Sequence, residues 1–218
     1  MFSPVFNTRQ IQVLGNSQIS TEQIIELSGV RKDENMFRLN RWRQETNIRT
    51  EAYIESARIR RHLNGTVNIH VEERTAEFML YLNGIYGYIN NQGYILEMSE
   101  VLLEAPIITG FGTEIYSIEA GNRLEESDLG KLGVVIRIMS ALESYNIAHL
   151  VTSIDISDEQ NYILELREEG KTVHFGDSSG ITRKAWWLVS AIEQERGIDG
   201  EFFLQNINRP FFRERVIF

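Results

Sequence analysis

The apolar residues of the first 75 positions change period several times, and that order constrains the fold more than any motif does. Ile11 and Val13 alternate with Gln10 and Gln12, the pattern of a half-buried strand over Arg9–Leu14. Gly15-Asn16 interrupts it with a turn. Ser20-Thr21-Glu22-Gln23 has the spacing of a capping box, in which the Ser and Gln side chains satisfy each other's backbone N–H groups, so a helix starts there. Ile24, Ile25 and Leu27 form its apolar side, and Gly29 supplies a left-handed end. A second helix is expected over Phe37–Asn47, with Phe37, Leu39 and Trp42 buried. Alternation then returns. Ala57 and Ile59 oppose Arg58 and Arg60, and after Asn64-Gly65 the residues Val67, Ile69 and Val71 oppose Asn68, His70 and Glu72, which reads as a hairpin. The order is β-α-α-β-β, an α+β unit ending near residue 75.

The rest of the chain reads as a mixed β domain with antiparallel strands and two helices. Phe78–Leu82 and Ile85–Ile89 flank Asn83-Gly84, a strong hairpin turn. Further strands are expected at Tyr94–Leu96, Ile107-Ile108, Thr152–Ile156, Tyr162–Leu166, Thr172–Phe175 and Glu201–Gln205. Helical spacing covers Glu125–Glu143 and Ile181–Arg196. Charge supports a boundary at the same place. Residues 1–75 hold 11 Lys/Arg against 9 Asp/Glu, and residues 76–218 hold 11 against 22, out of a net charge of -9. The expected organisation is a first domain over 1–75, a β domain over 76–206 and a tail over 207–218.

Composition narrows the chemistry. With no Cys among 218 residues, disulfides, thiolate metal sites and cysteine nucleophiles are excluded. The acidic balance argues against a general nucleic-acid binder. No stretch approaches the ~18 to 20 apolar residues of a membrane span, and the first residues lack a signal-peptide pattern. Two readings remain: a cytoplasmic protein, or a fragment cut just after a membrane anchor.

The motifs with catalytic overtones are weak. Gly176-Asp177-Ser178-Ser179-Gly180 resembles a serine-protease nucleophile segment, but none of His62, His70, His149 and His174 stands in a pattern suited to a base. The segment reads instead as a turn whose Ser or Asp caps the following helix. His70-Val71-Glu72 has half of a zinc-deaminase signature whose other half needs cysteine. Gly110-Phe111-Gly112 lacks the third glycine of a dinucleotide loop. Glu72-Glu73 and Glu125-Glu126 read as solvated faces. No catalytic, cofactor or metal site is expected.

Taken together, order and spacing resemble the FtsQ/DivIB family of bacterial cell-division proteins. Phe6–Asn16, Asn35–Leu39, Tyr53–Ile59 and Val67–Ala76 resemble the family's POTRA domain. Tyr88–Leu96, Pro106–Gly110 and Gly176-Asp177 resemble its β domain. The resemblance implies a non-enzymatic divisome scaffold that recruits and regulates septal peptidoglycan synthesis through FtsB/DivIC- and FtsL-type partners. It also implies an extracytoplasmic protein held by a membrane helix missing from this chain, with Pro4-Val5-Phe6 as the stub after it. The alternatives are a POTRA module of a protein-translocation system and, further off, a serine hydrolase using Ser178 or Ser179.

Two surfaces are candidates for binding. Glu201–Gln205, as the last strand, is expected to be an open edge that accepts a partner strand, with Phe202 or Leu204 on one side and Phe203 on the other forming pockets. On the last helix, Ile181, Ala185, Leu188, Val189 and Ile192 form the inward stripe, so Trp186 and Trp187 fall about 120° and 140° from its centre on opposite flanks. One is expected to pack under the terminal strand and the other to be exposed. Arg183 and Lys184 are expected to meet acidic partner side chains. The second surface is the basic cluster Arg38, Arg41, Arg43, Arg58, Arg60 and Arg61, read either as a face neutralised by Glu45, Glu51, Glu55 and Glu72 or as a face toward anionic lipid.

Overall fold

Residues 6–215 are described by the structure, a computed structural model. Pro4 and Val5 of the expected stub lie outside the described residues, as do the last three residues of the expected tail. The chain divides into two compact units at the Thr75/Ala76 junction.

The first unit runs β1 (Gln10–Leu14), α1 (Thr21–Ser28), a 3-10 turn (Met36–Arg38), α2 (Arg41–Ile48), β2 (Ile54–Arg61) and β3 (Thr66–Glu73). Its sheet has the order β1-β3-β2, with β1 parallel and β2 antiparallel to β3. Alternation places Ala57, Ile59, Val67, Ile69 and Val71 on the face that meets Ile24, Met36 and Ile48. Ser20 accepts the Gln23 N–H as expected, but the Gln23 amide donates to Glu51 beyond α2, so it ties two elements together. Glu73 is no idle surface acid: its carboxylate accepts the N–H groups of Ser17, Gln18 and Ile19 and closes the loop before α1.

The expected Phe37–Asn47 helix is corrected. Leu39-Asn40 separates the 3-10 turn from α2, where the Asn40 side chain caps the Arg43 N–H. This restart shifts the phase. Met36, Gln44 and Ile48 are buried, whereas Phe37 and Trp42 face solvent and Leu39 is half-buried.

The second unit runs β4 (Phe78–Leu82), β5 (Ile85–Ile89), β6 (Ile95–Ser99), β7 (Ile107–Thr109), α3 (Glu126–Glu143), β8 (Ser153–Asp155), β9 (Tyr162–Leu166), β10 (Lys171–Gly176), α4 (Ile181–Gln194), β11 (Gly200–Phe203) and β12 (Phe211–Glu214). All nine strands join one sheet in the order β12-β11-β10-β9-β8-β7-β4-β5-β6. Leu132, Val135, Ile138 and Leu142 of α3 and Ala185, Leu188 and Ile192 of α4 share one core with Leu80, Ile108, Ile154, Leu164, Val173 and Phe202 of the sheet. Strand β12 lies within the stretch expected to be a tail. It is short, and it follows Pro210, which has no N–H to give a ladder and so fits the first position of an edge strand.

The Gly110-Phe111-Gly112 loop binds the chain's own anion. Gly112 N–H donates to both Asp128 oxygens at 3.0 and 2.9 Å, and Thr113 donates its N–H at 2.7 Å and its hydroxyl at 2.6 Å. Lys131 stands 3.7 Å away, one turn along α3. The Asp128 side chain is fully buried, and that loop therefore docks onto the first turn of α3.

At the other end of the sheet, Gly200 is required for close approach. A Cβ there would lie 2.4 Å from the Phe212 ring and 2.5 Å from the Arg213 carbonyl oxygen. Gly200→Ala is expected to push β12 away and cost about 1–3 kcal/mol, the usual range for overpacking. Faster amide exchange across 211–214, with exchange in the first unit unchanged, checks it.

Candidate functional site

Strand β12 is the end of the large sheet, so among the described residues its outer side has no ladder partner. It pairs antiparallel with β11 in the register Gly200↔Glu214, Glu201↔Arg213, Phe202↔Phe212 and Phe203↔Phe211. The Arg215 N–H donates to the Asp199 carbonyl at 2.8 Å. Because inward and outward bonding alternates along an antiparallel strand, Arg213 and Phe211 bond to β11. Phe212 and Glu214 therefore turn their N–H and C=O groups outward.

Side chains fix this edge from both faces. On the core side, the Phe212 ring tilts over Phe202 at 4.9 Å, and Trp187 meets Phe202 edge-on at 5.7 Å. On the opposite face, His174, Phe203 and Phe211 stack flat across β10, β11 and β12, with centroids 4.6 and 4.7 Å apart. Arg213 lies over the Phe203 ring at 4.8 Å and pairs with Glu201. That hydrogen bond, together with the positive charge beside it, holds the Glu201 carboxyl below its ordinary value. The outermost ring, Phe211, is 54% exposed.

Helix α4 borders the same edge. Arg183 donates to Asn208 in the β11–β12 turn at 3.1 Å, and Trp187 follows one turn later over Phe202. Trp186 falls on the other flank of α4 and is 59% exposed. One indole is packed and one exposed; Trp187 is the packed one because Lys184 and Ala191 turn inward and bring the buried stripe round toward it.

Several expected binding residues are corrected. Glu201–Gln205 is not the edge, because β12 covers β11. Phe202 and Leu204 form no open pocket, since both are fully buried. Lys184 does not face a partner. It is buried, donating to the Asp177 carbonyl at 2.9 Å and lying 5.2 Å from the Phe175 ring. Burial lowers its pKa, against the opposing pull of Asp177. Its inward turn, with that of Ala191, rotates the buried stripe of α4 away from Ile181 and Val189. Phe203 keeps partial exposure but is sandwiched between His174 and Phe211.

The serine segment is structural. Asp177 accepts the Ser179 N–H at 3.0 Å and the Ser179 hydroxyl at 2.5 Å. The cap of α4 is Gly180, in the left-handed conformation, rather than a Ser or Asp side chain. Among the described residues no group of three or more His, Asp or Glu side chains could hold a metal ion.

The six arginines of the first unit do not form one face. Arg58 and Arg60 alternate with buried Ala57 and Ile59, so they project from the sheet face opposite the helices. Arg61 has the inward parity and donates to the Met36 carbonyl at 2.8 Å. Burial and the nearby charge of Arg41 lower its pKa. Arg41 and Arg43 open α2, and Arg38 ends the 3-10 turn, all three exposed. Of the acids expected to neutralise them, Glu45 accepts the Ile59 N–H, Glu51 the Gln23 amide and Glu72 the Ser56 hydroxyl.

Comparison with known proteins gives this architecture a family. Residues 6–74 match the FtsQ-type POTRA domain. The cell division protein DivIB of Clostridium acetobutylicum is 30% identical over 199 residues, covering 90% of this chain and 77% of that protein. DivIB of Clostridium tetani is 24% identical over 197 residues, covering 90% of this chain and 74% of its own length. The cell division protein FtsQ of Syntrophotalea carbinolica is 28% identical over 178 residues, covering 80% of this chain and 61% of that protein. With an FtsQ-type POTRA unit leading into a β-rich unit, and matching relatives across both, the chain belongs to the FtsQ/DivIB family of bacterial cell-division proteins.

Proposed function

We propose that this division protein is a non-enzymatic scaffold that takes up a partner strand along the outer side of β12. The observation that carries the reading is the outer edge of β12, unpaired among the described residues and carrying exposed Phe211 on one face, with α4 and its exposed Trp186 held at the same end of the sheet through Arg183 and Trp187. Main-chain pairing supplies affinity, and side chains on alternate positions supply choice of partner. The partners are proposed to be extracytoplasmic segments of the FtsB/DivIC and FtsL type, brought together at the outer face of the cell membrane to control septal peptidoglycan synthesis. No helix among the described residues is long and apolar enough to cross a membrane.

Exposed Trp and Arg residues dominate interface energetics, so Trp186 and Arg183 are the side chains to test. Trp186→Glu is expected to weaken binding of an FtsB/DivIC-type extracytoplasmic fragment about tenfold in titration calorimetry, and Arg183→Glu by somewhat less. An unchanged affinity in both variants removes the α4 flank from the site.

A further inference from the structure

We propose that the exposed aromatic and basic end of the first unit, formed by Phe37, Trp42 and Leu63 with Arg38, Arg41 and Arg43, is a binding surface for an anionic phospholipid bilayer. This surface is independent of the β12 edge. Its apolar members are large and left in water: Trp42 is 73% exposed, Leu63 75% and Phe37 50%. Isolated apolar side chains on a surface need no explanation, but an indole, a phenyl ring and an isobutyl group set among guanidinium groups do.

Contacts join the contributing segments. The Phe37 ring stands edge-on to Phe6 at 5.2 Å, and the Arg61 guanidinium lies 5.6 Å from its centroid. Leu63 follows Arg61 by two residues in the β2–β3 turn. Arg41 is close enough to Arg61 for their charges to repel. Trp42 sits between Arg41 and Arg43 in the first turn of α2.

The charge placement works against the helix. The first turn of α2 holds no acidic residue, and arginines stand where the positive end of the helix dipole disfavours cations. Residues 31–43 carry five basic and two acidic side chains. The sum is a positively charged surface with an exposed Trp among its arginines. Trp settles at the level of lipid headgroups, and Arg meets phosphates while its stem stays in apolar surroundings. Basic residues near a membrane surface are attracted by anionic lipid. An acidic peptide would engage the arginines and leave Trp42 and Leu63 in water, so the aromatic members favour the bilayer.

The test uses the whole chain with vesicles of mixed phosphatidylglycerol and phosphatidylcholine, against pure phosphatidylcholine, at low salt. The proposal expects co-sedimentation with the anionic vesicles only, and a blue shift of tryptophan emission. Trp42→Phe is expected to remove the blue shift. Arg41→Glu with Arg43→Glu is expected to reduce binding about tenfold or more. Arg41→Gln with Arg43→Gln, checked by an unchanged thermal melt, serves if the reversed charges impair folding. Three results overturn the proposal: no sedimentation with anionic vesicles, a blue shift that persists in Trp42→Phe, or binding indifferent to both arginine pairs. Binding to polyglutamate without binding to vesicles also overturns it, in favour of an acidic protein partner.

Discussion

Replacing Glu214 with proline is expected to weaken binding of an FtsB/DivIC-type fragment by about tenfold to a hundredfold while leaving the fold intact. The N–H of Glu214 points away from β11, so proline removes a donor that only an added strand would use. Each lost main-chain hydrogen bond is worth about 1 kcal/mol net, and the ring adds a steric block to close pairing, which together give that range. Arg213→Pro is the contrasting variant. Its N–H bonds inward to β11, so proline there should loosen β12 itself and lower the melting temperature of the second unit. Calorimetric affinity beside a thermal melt separates the two. Equal affinity for the Glu214→Pro variant and the parent would remove main-chain pairing from the account.

The second large effect concerns stability. Asp128→Ala is expected to destabilise the second unit by about 3–5 kcal/mol, the range for breaking a buried charged contact. The Gly112 and Thr113 N–H groups and the Thr113 hydroxyl would lose their acceptor, and Lys131 its partner. The loop that carries Ile115 and Tyr116 would detach from α3 in consequence. The same carboxylate predicts a pH dependence. Burial alone would raise its pKa, but the Thr113 hydroxyl and the Gly112 and Thr113 N–H groups outweigh it and hold the group below the ordinary 3.8. A lowered folded-state value means that the stabilisation is fully present above pH 3.8 and is lost as pH falls through the folded value. Acid titration monitored by near-ultraviolet dichroism should show an acid transition that Asp128→Ala weakens.

Much of the fold is legible in the periodicity. Alternation in Ala57–Arg60 and Val67–Val71 marks strands because one face is buried and the other wet, and Asn83-Gly84 defines a hairpin by itself. Alpha-helical spacing over Leu129–Met139 marks α3 in the same way. Legibility fails where a tertiary partner decides. Lys184 reads as surface charge until the Asp177 carbonyl and Phe175 ring are folded around it. Gly112 and Thr113 become an anion cradle only when α3 brings Asp128 to them. Trp42 and Phe37 look like core residues because nothing in the sequence shows that Asn40 restarts the helix in a new phase.

The candidate site is readable only in part. Helical angle alone shows that Trp186 and Trp187 cannot both face the core, but which one packs depends on the inward turn of Lys184 and Ala191, which the sequence does not reveal. Strand β12 does not stand out, since four residues provide too little alternation to distinguish from a loop. Its signals are Pro210 before it and the glycine opposite its end, and the second requires knowing that Gly200 faces Phe212. Alternation alone therefore puts the edge one strand too early, on residues that β12 covers.

Amide hydrogen exchange along β12 with and without an FtsB/DivIC-type extracytoplasmic fragment tests strand addition most directly. The account predicts that the Phe212 and Glu214 amides, which have no ladder partner among the described residues, become strongly protected in the complex. The Phe211 and Arg213 amides, already bonded to β11, should change far less. Tight binding of the fragment with no new protection at Phe212 and Glu214 would contradict it.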